Sequence, residues 1–368
     1  MKERSNLDLD LNYSFPKPAR CDYGIGAIGA GFIMRDVQLP AYRRAGFNVA
    51  AIMSRRPDVA REVAELRGIP RVYETLDEML NDPDIQILDI AIPPDRQLEL
   101  VRGAVTRGKH LKGILAQKPL AMTYQAARET VRLCQQHGIT LAVNQNMRFD
   151  QSIRAAKTLL ERGDLGSPVL ATVEMRAVPH WQSWLHSYSR LTLLNMSIHH
   201  IDSFRYWFGD PESIYVSARK DPRTQFSHQD GICLYILEYA NGLRAAAWDD
   251  VWAGPRTDQD DLGPYIKWRV EGTQGIAEGT LGWPSYPNRE PSTITFAKPG
   301  MRITPRWKEV WFPDAFEGPM SDLMNAIATG TEPTVSGADN LGTMAAVEAG
   351  YRSLAEHRPV KLSEILAP

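Results

Sequence analysis

Cysteine is scarce. Three occur in 368 residues, Cys21, Cys134 and Cys233, too few and too scattered for a disulfide framework or a thiolate zinc site. They read as reduced, structural thiols. No apolar run reaches the roughly 18 residues of a membrane span, and the opening stretch "MKERSNLDLDLNYSFPKPAR" lacks an apolar core of signal-peptide length. A cytoplasmic protein is therefore expected. Neither sign of charge is in excess: 42 basic against 44 acidic residues leave a net charge of -2, which gives no electrostatic footprint for nucleic acid or an acidic membrane. Internal repeats and low-complexity tracts are also missing.

What is present is an ordinary globular composition, 43% hydrophobic and 23% charged, in a chain whose length favours two domains. From residue 22 to about 145, short apolar runs alternate with helical stretches, the signature of βαβ units and a parallel sheet. The strands are "YGIGAIGAG", "FNVAAIMS", "IQILDIAIPP" and "ITLAVNQN". Helices between them stop at Gly68, Gly108 and Gly138. After a further helix, "SIRAAKTLLERGDLG", the texture changes to strands joined by turns: "SPVLATVEMRAV", "SIYVSARK", "GICLYILEYANG", "LRAAAWDDVW", "YIKWRVEGTQG" and "GIAEGTLGW". Asn241-Gly242 marks a hairpin. The fold class is thus α/β, with an N-terminal extension (1–20), a dinucleotide-binding domain (21–146), and a C-terminal α+β domain (147–368) built on an open, mostly antiparallel sheet. An open sheet needs its second face covered, so a homodimer or homotetramer through that sheet is expected.

"GAIGAGFIM" follows a strand and precedes a helix, the context in which a glycine turn binds a dinucleotide. Gly29 permits the tight turn. Gly31, Phe32 and Ile33 bring backbone N–H groups at the helix start toward a pyrophosphate. The third glycine of the fingerprint is absent, and Met34 stands in its place. Also absent is the acidic residue that usually meets the ribose hydroxyls of NAD at the end of the second strand. Ser54, Arg55 and Arg56 stand there instead. Nothing there repels a 2'-phosphate, and a guanidinium binds one in bidentate fashion. This leans toward NADP; two solvated arginines beside an NAD held by Ser54 is the other reading.

Two stretches carry the chemistry. "ILAQKPLAMT" sets Lys118 at the end of an apolar strand, before a proline that restricts its backbone to an extended form. "LLNMSIHHIDSF" (193–204) reads as one helix, in which Asn195, His199 and Asp202 share a polar stripe while His200 falls among Met196, Phe204 and Trp207 as core. His199 is the candidate base, because histidine titrates near working pH. Histidines are numerous, but no spacing matches a standard metal site, so no metal is expected.

In this order the motifs resemble the glucose-fructose oxidoreductase and inositol dehydrogenase family, Gfo/Idh/MocA. The likeness runs from "GIGAIGAGFI" through "IAIPPD", "GKHLKGILAQKPLA", "NQNMRFD" and "LLNMSIHHID" to "SGADNLGTMAAVEAGYRS". It implies a Rossmann domain, a second domain with an open sheet, and hydride transfer between a nicotinamide cofactor and a small sugar. The stretch "NMSIHHIDSFRYWFGDP" is similar in texture to that of the D-apiose dehydrogenases within the family, which points to oxidation of an aldose such as D-apiose to its lactone. The family's E-K-P signature becomes Gln117-Lys118-Pro119, and its D-x-x-x-H signature becomes Asn195 to His199. The resemblance makes Lys118 the group that orients the reacting oxygen and His199 the general base, with Asn195 beside it. Both departures remove a carboxylate, so Lys118 and His199 are expected to lose protons more readily than they would beside one. Matching further places Pro93 and Gln97 at the nicotinamide ribose, Gln117 and Asn146 at the cofactor, and Arg148, Arg176, His180, Trp181 and Trp184 around the substrate. Arg148 reads equally well as a domain-linking ion pair. Relatives that hydrolyse glycosides with a retained NAD, and a cofactor-binding regulator without catalysis, are the alternative functions.

Overall fold

The computed structural model describes residues 10–176, 183–250, 265–282 and 290–366. The chain divides into two compact units: one holds 15–146 and 313–344, the other holds the described parts of 1–14, 147–312 and 345–368.

The first unit is a six-stranded parallel sheet. Its strands are β1 (Gly24–Ile28), β2 (Val49–Met53), β3 (Arg71–Tyr73), β4 (Ile85–Ile90), β5 (Gly113–Ala116) and β6 (Thr140–Val143), in the order β3-β2-β1-β4-β5-β6. β1 and β5 are buried along their whole length, and β4 nearly so, as strands covered on both faces must be. Helices α1 (Leu39–Ala45), α2 (Pro57–Arg67), α3 (Leu76–Asn81), α4 (Pro94–Arg107) and α5 (Tyr124–Gln136) link them. Local chemistry sets their ends. Pro57 opens α2 and Gly68 closes it at φ 72°, while Thr75 and Glu78 form a reciprocal capping box on α3. The short strand β3 is too brief to show a period in the sequence.

In the second unit, α6 (Gln151–Glu161) precedes β7 (Pro168–Arg176). Then follow α7 (Thr192–Asn195), α8 (Ser197–Phe208), β8 (Ser213–Arg219), β9 (Ile232–Glu238), β10 (Arg244–Asp250), β11 (Tyr265–Gly272), β12 (Ile276–Leu281), β13 (Thr293–Lys298) and β14 (Met301–Ile303). After the short α9 (Trp311–Asp314) the chain returns to the first unit for α10 (Glu317–Thr329) and the start of α11 (Gly337–Glu356), and the end of α11, β15 (Val360–Lys361) and α12 (Ser363–Leu366) belong to the second. The nine strands run β14-β13-β12-β11-β7-β10-β9-β8-β15. All neighbours are antiparallel except β7 and β10, so the sheet is mostly antiparallel as expected. One side packs under α6 and α8, where Trp207 meets Trp268 at 5.4 Å. The other side is amphipathic. Tyr215, Leu234 and Ile236 are 39%, 49% and 44% exposed, and Ile236 pairs with Tyr215 and Ala246 while Leu234 pairs with Trp248. Beyond β7 the same side turns polar, with Arg269 bridging Glu271 and Glu278 at 2.6 and 2.7 Å.

The chain does not divide once at residue 146. Helix α10 packs on β5 and β6 of the first unit, and Gly113 leaves the room it needs: a Cβ there would lie 2.6 Å from Ile327 and 3.1 Å from Leu323. Apolar periodicity in "DLMNAIATG" fits a helix but does not say which sheet it covers. No helix among the described residues is long and apolar enough to cross a membrane. All three cysteines are unbonded, and burial pushes the Cys134 thiol up to about 12, which suits inert structural thiols.

Candidate active site

Consecutive strands of the first unit are stitched together at their carboxyl ends. Gly29 N–H donates to Met53 O, Ala91 N–H to Ile28 O, Gln117 N–H to Ile90 O and Asn144 N–H to Ala116 O, each at 2.8 to 3.0 Å. This brings Gly29, Ser54, Pro93, Gln117 and Asn146 to the same end of the sheet, where open α/β sheets bind their ligands. Gly29 has φ 105° and a Cβ there would lie 2.4 Å from Ala91 O, so only glycine makes this turn. At Gly31 a Cβ would meet nothing within 4 Å, which leaves its backbone open to a large group. Phe32 is 46% exposed beside it. The expected helix start is not α-helical: Ile33–Gln38 is wound as a π-helix before α1 begins. Met34 fills the space a third glycine would have left, fully buried against Ala27, Leu39, Ile52 and Val63. Arg55 and Arg56 are exposed just past β2, and Ser54 Oγ accepts from Arg56 N–H at 3.4 Å. These features fit a dinucleotide: an open glycine turn, cationic side chains past the second strand, and aligned strand ends.

Around Lys118 the backbone is held from several directions. The Lys118-Pro119 bond is cis. Gln97 does not present its amide to solvent; it is fully buried, and its Nε2 donates to Gln117 O at 2.9 Å and Pro119 O at 2.8 Å. Gln117 Oε1 accepts from Lys118 N–H at 3.1 Å, and Gln117 Nε2 donates to Gln38 Oε1 at 3.4 Å. Gln38 Nε2 in turn donates to Asp89 Oδ1 and Oδ2 at 2.8 and 2.7 Å, and the Tyr42 hydroxyl donates to Asp89 Oδ2 at 2.8 Å. Burial pushes Asp89 up to about 7, opposed by those donors. Burial also pulls the Lys118 ammonium down to about 7. The cause is desolvation. Asn146 is buried and donates to Asn144 O at 3.1 Å.

In the second unit, 193–204 is two helices and not one. The break falls at Met196 (φ -114°), so Asn195 closes α7 while His199 lies in the first turn of α8. A buried acid far along the chain organises it: Asp230 accepts from Leu191 N–H at 2.9 Å and Leu193 N–H at 2.8 Å, and from the Tyr351 hydroxyl at 2.8 Å. Nearby, His228 Nε2 accepts from Asp221 N–H at 3.1 Å, and burial lowers its pKa, as befits a neutral turn residue. His199 is buried with its ring edge-to-face on Trp311, centroids 5.3 Å apart. Trp311 was not foreseen; it sits in "VWFPDAF", with no period or motif to single it out. His200 is buried as expected, but it is more than packing: Nδ1 donates to Asp249 Oδ1 at 2.9 Å, and Ser197 Oγ donates to the same carboxylate. The adjacent histidines therefore have separate settings. Asp202, one turn along α8 from His199, is held by Arg148, which binds both its oxygens at 2.6 and 2.7 Å. That guanidinium, expected at the substrate or between domains, is bound within its own unit. Arg176 Nη2 lies 3.6 Å from Asp250, which Arg223 also binds at 2.6 Å. Trp184 packs on Tyr188 at 5.6 Å. His180 and Trp181 lie outside the described residues. Among the described residues no group of three or more His, Cys, Asp or Glu could hold a metal ion.

Two family models match the chain: the NAD-binding Rossmann fold of the Gfo/Idh/MocA oxidoreductases over residues 23–145, and the C-terminal alpha/beta domain of the same family over 157–362. The chain belongs to this oxidoreductase family. It is 28% identical to a D-apiose dehydrogenase of Paraburkholderia graminis over 351 residues, 92% of this chain and 90% of that one. An oxidoreductase from Agrobacterium radiobacter, solved with NAD+, L-tartaric acid and magnesium, is similar in fold at a TM-score of 0.80 and 24% identity, covering 94% of this chain and 99% of that one. The aldose-aldose oxidoreductase of Caulobacter crescentus gives 0.79 and 21%, over 92% and 99%. This family member is an NAD(P)-dependent dehydrogenase.

Proposed function

We propose that this dehydrogenase oxidises a small aldose, D-apiose or a sugar of its kind, to the lactone. The observation that carries the reading is Lys118, a lysine pulled down to about 7 by burial on a backbone fixed by Gln97 and Gln117. A lysine near neutrality can hand a proton to or from a sugar hydroxyl at working pH. The length of the likeness to D-apiose dehydrogenases supports the sugar.

Bound nicotinamide supplies the hydride acceptor. Gly29, Gly31, Phe32 and Ile33 would hold its diphosphate, Ser54 and Arg55 its adenosine ribose, and Pro93, Gln117 and Asn146 its nicotinamide end. Gln97 acts behind these, by holding the Gln117 and Pro119 carbonyls. His199 takes the hydroxyl proton, kept in place by Trp311 and by the turn that Asn195 closes. The role assigned to Lys118 is to orient the reacting oxygen and stabilise its developing charge. Arg176 and Trp184 would border the sugar. Arg148 acts at a distance, by fixing α8 through Asp202.

Arg55 and Arg56 are exposed just past β2, where a guanidinium can bind a 2'-phosphate, and this favours NADP. A panel of pentoses, hexoses and inositols with NAD and NADP tests both points. D-apiose is expected to give net reduced cofactor and lactone, with NADP the better partner. Replacing Arg55 and Arg56 by alanine is expected to lower the NADP-to-NAD ratio of kcat/KM by about tenfold or more. Turnover without net reduced cofactor would replace this reading with a retained-cofactor hydrolase.

The apolar half of the open sheet face supports assembly into a dimer or tetramer through β8, β9 and β10. Sedimentation at micromolar concentration is expected to show the oligomer, and Leu234→Lys with Ile236→Lys to dissociate it. A monomer in the unaltered protein would remove this proposal.

A further inference from the structure

A buried acid, Asp89, stands at the penultimate position of β4, 1% exposed and connected to Lys118 through the amides of Gln38 and Gln117. Its two oxygens are met by Gln38 Nε2, and Oδ2 also by the Tyr42 hydroxyl. Ionised or neutral, the group keeps an acceptor oxygen toward Gln38, because a proton on it has the Tyr42 hydroxyl as its partner, which also accepts from Gln38 Nε2 at 3.1 Å.

An amide side chain is directional, accepting at one end and donating at the other. With acceptors on Asp89 and Tyr42 at 2.7 to 3.1 Å, Gln38 turns its NH2 inward. Its oxygen then faces Gln117, which must present its own NH2. The Gln117 oxygen is thereby left toward Lys118, where it accepts the backbone N–H. The orientation of each group follows from the one behind it, starting at Asp89. A glutamate at 117 would aim an acceptor at the Gln38 oxygen. Gln38 could answer only by turning round, which would set its oxygen against Asp89. Gln117 therefore marks no missing charge. It continues the orientation that begins at Asp89.

We propose that Asp89, Gln38 and Gln117 form one directional hydrogen-bond relay, in which Asp89 is a positioning residue that fixes the backbone of Lys118 from beneath the sheet end. The proposal rests on Lys118 having the role given above, but its test does not.

The relay can be reversed. With Asp89→Asn and Gln117→Glu together, the new amide at position 89 donates to Gln38 Oε1, and Gln38 Nε2 donates to the new carboxylate at position 117. The second oxygen of that carboxylate accepts Lys118 N–H. Each single variant leaves two donors or two acceptors facing each other in a buried place, and each is expected to lose about tenfold or more in kcat/KM. The double variant is expected to recover to within about threefold of the unaltered enzyme, a coupling that independent sites do not show. The activity-free readout is the titration of the Lys118 side chain, followed by NMR of isotope-labelled lysine and assigned with Lys118→Met. It is expected to move in both single variants and return in the double. Melting curves separate unfolding from mispositioning, and Gln117→Met, which breaks the relay without adding charge, is expected to show the same loss should Gln117→Glu fail to fold. Additive losses in the double variant, or single variants that titrate like the unaltered protein, would overturn the relay. If Lys118→Met keeps full turnover while the titrations still couple, the relay stands and the dehydrogenase role of Lys118 falls.

Discussion

Replacing Lys118 by methionine is expected to lower kcat by about 10³-fold, the usual contribution of a positioned acid or base, while binding of the reduced cofactor stays within a few-fold. Methionine nearly matches the lysine stem in length and needs no hydration, so the held backbone of 117–119 has no reason to move. Stability carries a second signature. In the folded chain the ammonium titrates at about 7, against an ordinary 10.5. Below about 7 both states are protonated, and the folded state bears the desolvation penalty. Between those two values only the unfolded chain binds the proton, so stability rises with pH across that window. The methionine variant lacks that rise. Urea unfolding at either end of the window, beside steady-state kinetics, checks both outcomes. Turnover within tenfold of the unaltered enzyme would remove Lys118 from the chemistry.

Asp202→Ala is expected to destabilise the second unit by about 3–5 kcal/mol, because it leaves a buried guanidinium without its carboxylate. Arg148 and Asp202 are almost inaccessible and joined by two bonds at 2.6 and 2.7 Å, unlike the exposed pairs elsewhere on the surface. The change should appear as a lower urea midpoint. Replacing both partners by apolar residues, Arg148→Met with Asp202→Leu, is expected to recover most of the loss, since neither charge is then stranded. That double variant also decides what Arg148 does. If it only holds α8, the stable variant keeps KM for the sugar within a few-fold; a stable variant with KM raised about a hundredfold would make Arg148 a substrate group after all.

Where the sequence was informative, the reason is local. Alternating apolar runs and glycine stops delimited the parallel sheet, and Gly29 and Lys118 were legible because a turn and a strand end restrict which residues fit. What escaped depends on tertiary partners. Asp89 sits within the apolar run "IQILDIAI", and nothing local connects it to Gln38 or Gln117. The polar stripe through 195, 199 and 202 assumed a continuous helix, whereas Asp230 draws the N–H groups of 191 and 193 to itself and the helix breaks at Met196. Trp311 reaches His199 from more than a hundred residues away.

The return of α10 to the first sheet has a consequence for synthesis. On the ribosome, β5 and β6 emerge long before the helix that covers them, and the space beside Gly113 stays unfilled until Leu323 and Ile327 have been translated. The nucleotide-binding unit therefore cannot close cotranslationally ahead of its neighbour in the way an N-terminal domain normally does. A gene fragment ending at residue 146 should yield a sheet with a bare apolar flank, prone to capture by chaperones, and supplying 313–344 as a separate peptide is the direct way to complete it.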